Sequence, residues 1–166
     1  MKVRAFLADS VQSVDGKLYV LGAGWNRLTA SGFPAQHDRV GIGILMTVEA
    51  GEAGEHNLEV SLLNERDLPV PLFADPTGTE QFALNASFQT QPPDDGLGDV
   101  QVPLALNLNG LSFPTPGTYT FSFRVNGAEA ERLPFRVSLV TPTAAGDPGA
   151  PPGTSTAPGT PEPGYL

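Results

Sequence analysis

An all-β fold, arranged as an antiparallel β-sandwich, is what this sequence predicts, and three observations predict it. Apolar and polar residues alternate at period two along several stretches, which turns one face of each strand toward a core. Turn-forming residues recur at short intervals, at Gly51–Gly54, Asn64–Asp67, Asp75–Gly78, Pro92–Gly98, Gly110–Gly117 and Asn126-Gly127. No long stretch keeps a helical period without meeting Gly or Pro. About eight or nine short strands at this spacing give a sandwich or a barrel. The strands alternate as half-buried ones do, which favours the sandwich.

The elements follow in order. Asp15-Gly16 predicts a hairpin turn between strands Ser10–Val14 and Lys17–Leu21. Gly22 to Arg39 reads as a long loop carrying Trp25, Arg27, Phe33, Pro34, His37 and Asp38. From Val40 to Val48, Val40, Ile42, Ile44, Met46 and Val48 share one face, while Gly41 and Gly43 lie on the other. Something must pack closely over those glycines. The expectation is the ring of Trp25, the sole tryptophan, with a bulge at the glycines as the alternative. Leu58, Val60 and Leu62 alternate next, then Phe82, Leu84, Ala86 and Phe88. Val100, Val102, Leu104, Leu106 and Leu108 give the cleanest alternation, and Pro103 among them places that strand at an edge or bulge. Tyr119, Phe121, Phe123 and Val125 lead into Asn126-Gly127, whose residues tolerate positive φ in a type I′ turn. The chain returns through Phe135, Val137 and Leu139, with a bulge expected between Ala128 and Leu133.

Composition divides the chain into a domain, residues 1–140, and a tail, residues 141–166. The tail holds seven prolines and five glycines among mostly Thr, Ala and Ser. It cannot bury enough apolar surface to offset its ordering entropy and is predicted to be disordered. The net charge is −9, and all nine Lys and Arg lie in the domain. An acidic surface repels phosphate, so neither nucleic acid nor an anionic membrane is an expected partner. There are no cysteines, which removes disulfides, thiolate metal sites and thiol nucleophiles and fits a reducing compartment. The apolar run after Met1 ends at Asp9, short of a signal peptide, and none is long enough to span a membrane. The expected location is the cytoplasm.

Few residues point to chemistry. His37 and His56 are the only histidines, and no Gly-x-Ser-x-Gly elbow accompanies them. A hydrolase site around His37 is one alternative reading, and His56 reads as a solvated loop residue. Asp94, Asp95 and Asp99 share a Gly-containing loop and could supply oxygen ligands to calcium. The plainer reading is a solvated acidic turn. Gly22-Ala23-Gly24 starts like a dinucleotide fingerprint, but Arg27 stands where its third glycine belongs and no helix follows. No cofactor is predicted. Trp25, Arg27, Phe33 and His37 form the candidate partner-binding surface, because Trp and Arg are enriched at interface hot spots. The competing reading is that Trp25 and Phe33 are core residues.

The opening, Ala5 to Gln12 followed by Asp15-Gly16-Lys17-Leu18-Tyr19-Val20-Leu21-Gly22-Ala23-Gly24-Trp25, resembles the start of an uncharacterised bacterial domain family. Gly117, Tyr119, Phe121, Asn126-Gly127, Leu133, Pro134, Phe135 and Val137 are similar to its end. The resemblance implies a bacterial source and a compact, immunoglobulin-like β domain, and it carries no activity to transfer. The functional expectation is a non-enzymatic binding or scaffolding module that takes a protein partner or a second copy of itself. A calcium- or ligand-binding sandwich and a hydrolase are the alternatives.

Overall fold

A computed structural model describes residues 1–70, 82–91 and 98–140. The tail expected to be disordered, and Asp94 and Asp95 of the acidic loop, lie outside the described residues.

Ten strands occur among the described residues: β1 (Lys2–Ala8), β2 (Ser10–Val14), β3 (Lys17–Leu21), β4 (Arg27–Ala30), β5 (Ala35–Val48), β6 (Gly54–Leu63), β7 (Ala83–Thr90), β8 (Val100–Phe113), β9 (Gly117–Val125) and β10 (Ala128–Leu139). One three-residue 3-10 turn, Ala50–Glu52, joins β5 to β6. A three-stranded sheet has the order β1-β5-β8, a five-stranded sheet has the order β4-β10-β9-β6-β7, and β2 and β3 pair only with each other. Strand pairs are antiparallel except β4 with β10, which run parallel with Leu28 beside Val137.

The two larger sheets share one core. Val40, Ile42, Ile44 and Met46 of β5 join Leu58, Val60 and Leu62 of β6, Phe121 and Phe123 of β9, and Phe135 and Val137 of β10 in a single buried cluster. Period-two alternation produces this directly, because every second side chain of each strand lands on the shared face. Aromatic rings fill one end. Phe121 stacks on Phe135 with ring centroids 5.4 Å apart, and Phe113 meets Tyr119 edge-on at 5.0 Å. Tyr119 is buried yet satisfied, since its hydroxyl donates to the Thr115 carbonyl at 2.7 Å. Burial of each such side chain contributes about 1.5–3 kcal/mol.

Both predicted hairpins form at the predicted places. Asp15 and Gly16 have φ of 50° and 69°, and Asn126 and Gly127 have φ of 51° and 79°, the left-handed pair a type I′ turn requires. The register of β10 against β9 shifts between Glu129 and Glu131, inside the stretch where a bulge is expected. Pro103 sits on β8, at the edge of its sheet. Two strands exceed the expectation. β1 is apolar on both faces from Ala5 to Ala8, so it shows little alternation, and β4 is only four residues long. With β4 in place and β5 beginning at Ala35, Gly22 to Arg39 is not one long loop.

Candidate functional site

The outer face of the three-stranded sheet carries the most unusual arrangement in the molecule. There β5 presents Gly41 and Gly43, paired across to Ala8 and Phe6 of β1. A Cβ built on Gly43 would overlap the ring of Phe6, and one on Gly41 would lie 3.0 Å from Val11 Cγ2 and 3.1 Å from the Ala8 carbonyl oxygen. The glycines are thus covered by Phe6 and Val11, and the register through them is continuous on both sides. The expectation that Trp25 covers them is wrong, and so is the bulge. An aromatic does compensate the bare glycine, but it is the cross-strand neighbour Phe6, which pairing register alone identifies.

Val11 brings the β2–β3 hairpin with it, as a third layer over this sheet. Asn107 of β8 holds it in place. Its Oδ1 accepts from the Val11 N–H at 3.1 Å, and its Nδ2 donates to the Val11 carbonyl at 2.7 Å. One side-chain amide therefore occupies both backbone groups of a strand residue, as a neighbouring strand would. Ser13 Oγ donates to the Pro103 carbonyl at 3.0 Å, a second tie.

With Val11 turned inward, alternation turns Val14, Tyr19 and Leu21 outward. They are 46%, 56% and 70% exposed, and Val20 is 39% exposed. Four of the seven large exposed hydrophobics among the described residues therefore belong to this one hairpin. Sequence reasoning placed the hairpin but passed over its outer face. The available sign was Leu18-Tyr19-Val20-Leu21, four consecutive apolar residues in a five-residue strand, a pattern that folding alone does not call for.

The residues singled out from sequence are distributed differently. Trp25 and Phe33 are half-buried and pack against the core, and Arg27 is exposed at the start of β4. His37 is half-buried on β5, its ring edge-on to Trp25 at 6.2 Å. The structure thus brings Trp25 and His37 together. The Trp25 indole N–H is buried without a hydrogen-bond partner among the described residues. Asp99 is exposed. His56 is not a solvated loop residue. It lies on β6, 9% exposed, with Nε2 2.7 Å from the Glu52 carbonyl and Nδ1 3.1 Å from Asn126 Nδ2. Asn126 Oδ1 accepts from the Asn57 N–H at 2.9 Å, so its amide nitrogen faces the ring. These contacts suit a ring that donates from Nε2 to the Glu52 carbonyl and accepts at Nδ1 from the Asn126 amide. The histidine ties the Asn126-Gly127 turn to β6.

Among the described residues no group of three or more His, Cys, Asp or Glu side chains could hold a metal ion. An open cleft of about 560 Å³ lies between β1 and the β9–β10 turn, with Arg4, Glu129 and Glu131 in its lining; no histidine or hydroxyl nucleophile is among its described lining residues. No helix among the described residues is long and apolar enough to cross a membrane.

A family model covers residues 3–138, which takes in every strand but the first residue of β1 and the last of β10. The chain belongs to DUF6941, a family of unknown function. No curated protein matches it, and no solved structure does.

Proposed function

We propose that this member of DUF6941 is a non-enzymatic protein-binding module, and that it binds through the outer face of the β2–β3 hairpin. The observation that carries the reading is the exposure of Val14, Tyr19 and Leu21 together on a hairpin tied down by Asn107 and Ser13. A fixed apolar strip that contributes nothing to the core is suited to a partner, and a preformed one loses little entropy when bound. The immunoglobulin-like character of the fold is part of the proposal. It is supported by the order of the five-stranded sheet, the parallel pairing of β4 with the last strand, and the tyrosine at the start of β9 bonded back to Thr115. A bacterial cytoplasm is the proposed setting, in keeping with the cysteine-free chain.

The experiment is chemical cross-linking of the full chain in extract, comparing the native sequence with a Tyr19→Ser/Leu21→Ser variant and with a Trp25→Ala/Arg27→Ala variant. Loss of the cross-linked partners in the first variant alone supports the hairpin. Loss in the second alone moves the interface to the surface near Trp25, Arg27, Phe33 and His37. An identical partner set in all three ends the proposal.

A further inference from the structure

We propose that the free edge of β3 pairs with β3 of a second copy of this chain, about a two-fold axis through Tyr19, so that two hairpins join into a four-stranded sheet. The inference rests on the protein-binding reading and names its partner.

The backbone geometry selects the edge. The two-residue type I′ turn closes the hairpin on Val14 and Lys17 as a hydrogen-bonded pair. Pairs then alternate, so Gln12 with Tyr19 and Ser10 with Leu21 are hydrogen-bonded, and Ser13 with Leu18 and Val11 with Val20 are not. The N–H and C=O of Leu18 and Val20 therefore point away from β2. The same rule turns the N–H and C=O of Val11 away from β3, which is where Asn107 meets both of them. Nothing equivalent meets Leu18 and Val20, because no described strand pairs with β3 except β2.

Other sheet edges carry protection against pairing. On β1, Lys2 and Arg4 are exposed; β4 is four residues long and begins with Arg27; β8 contains Pro103. On β7 the exposed side chains are Ala83, Asn85, Ser87 and Gln89, none of them large and apolar. Among the described strands, β3 alone combines an open edge with large exposed apolar side chains, and its one charge is Lys17 at the end.

Self-pairing satisfies this edge. In an antiparallel register centred on Tyr19, Leu18 of one copy faces Val20 of the other, and each such pair exchanges both of its backbone hydrogen bonds. The two Tyr19 side chains meet at the central, closer-spaced pair, where cross-strand aromatics stabilise. Lys17 falls opposite Leu21 of the second copy, next to Gly22, against which the Asp9 carboxylate is packed. Each end of the joint therefore brings Lys17 toward an Asp9, and the two Lys17 stay at opposite ends. A symmetric joint uses the same patch twice and closes at two copies.

The test is sedimentation and light scattering of the full chain from micromolar to millimolar concentration. It uses the native sequence, Tyr19→Lys, Tyr19→Glu, and the two variants mixed in equal amounts. Tyr19 is exposed, so both variants keep the fold, which thermal melts verify. The expected result is a concentration-dependent native dimer, association weakened about tenfold or more in each variant alone, and dimer recovered in the mixture, where Lys faces Glu. A native chain that stays monomeric at millimolar concentration overturns the inference, as does a dimer that tolerates both variants or a mixture that stays monomeric. A monomer whose cross-linked partners still depend on Tyr19 and Leu21 overturns self-pairing alone. A monomer whose partners ignore them overturns the binding reading as well.

Discussion

The inward face of β5 and the outward face of the β2–β3 hairpin are built from similar residue types and have opposite fates. On β5, Val40, Ile42 and Met46 are fully buried at 0% exposure. On the hairpin, Leu21 keeps 70% of its surface and Tyr19 56%. The first face is opposed by a second sheet, and removing it would remove the fold. The second is opposed by nothing described, and its hairpin is held from the other side, by buried Val11 over Gly41 and by polar ties to β8. Apolar content thus divides into residues that make the domain and residues that the domain presents.

Substitutions break this comparison at graded points. Phe121→Ala removes a ring that is 0% exposed and is expected to destabilise by about 3–5 kcal/mol, read as a loss of cooperative unfolding at the native midpoint in urea. Gly43→Ala forces the Phe6 ring aside and is expected to cost about 1–3 kcal/mol. That cost should shrink to under about 0.5 kcal/mol in a Phe6→Ala background and stay unchanged in a Trp25→Ala background. Equal coupling to both rings would contradict the packing described. Asn107→Ala deletes both bonds to Val11 and is expected to cost about 1 kcal/mol, with amide exchange accelerated in β2 and β3 before the rest of the domain. Uniform exchange would show that the hairpin is held by other means. Tyr19→Ser is expected to change stability by less than about 0.5 kcal/mol, since the side chain is more than half exposed and stands outside the core cluster; a larger loss would place Tyr19 with the core residues.

Legibility in the sequence followed the same division. Strands whose alternation reflects one buried face were visible at once, as with Val100 to Leu108, and both type I′ turns were visible because Asp-Gly and Asn-Gly tolerate positive φ. Contacts between distant elements were not. That Phe6 rather than Trp25 covers Gly43 depends on the register of β1 against β5, and a one-residue shift would change it. His56 looked solvated beside Glu52 and Glu55, but its environment comes from Asn126 and Phe88 across the sheet. The outer face of β3 was legible in principle, as an apolar run where alternation should have placed polar residues. Its exposure required knowing that Val11 faces the sheet.

The parallel pairing of β4 with β10 bears on how the chain reaches this state. Leu28 and Val137 sit side by side though over a hundred residues separate them, so the five-stranded sheet is finished only when the last strand arrives. During synthesis β1 can find β5 early, while β4 waits for nearly the whole domain to leave the ribosome. Closing so large a loop slows folding and makes completion of the sheet a late step. Shortening the chain within β10 would therefore leave β4 without a partner strand, although more than a hundred residues lie between the cut and the strand it releases.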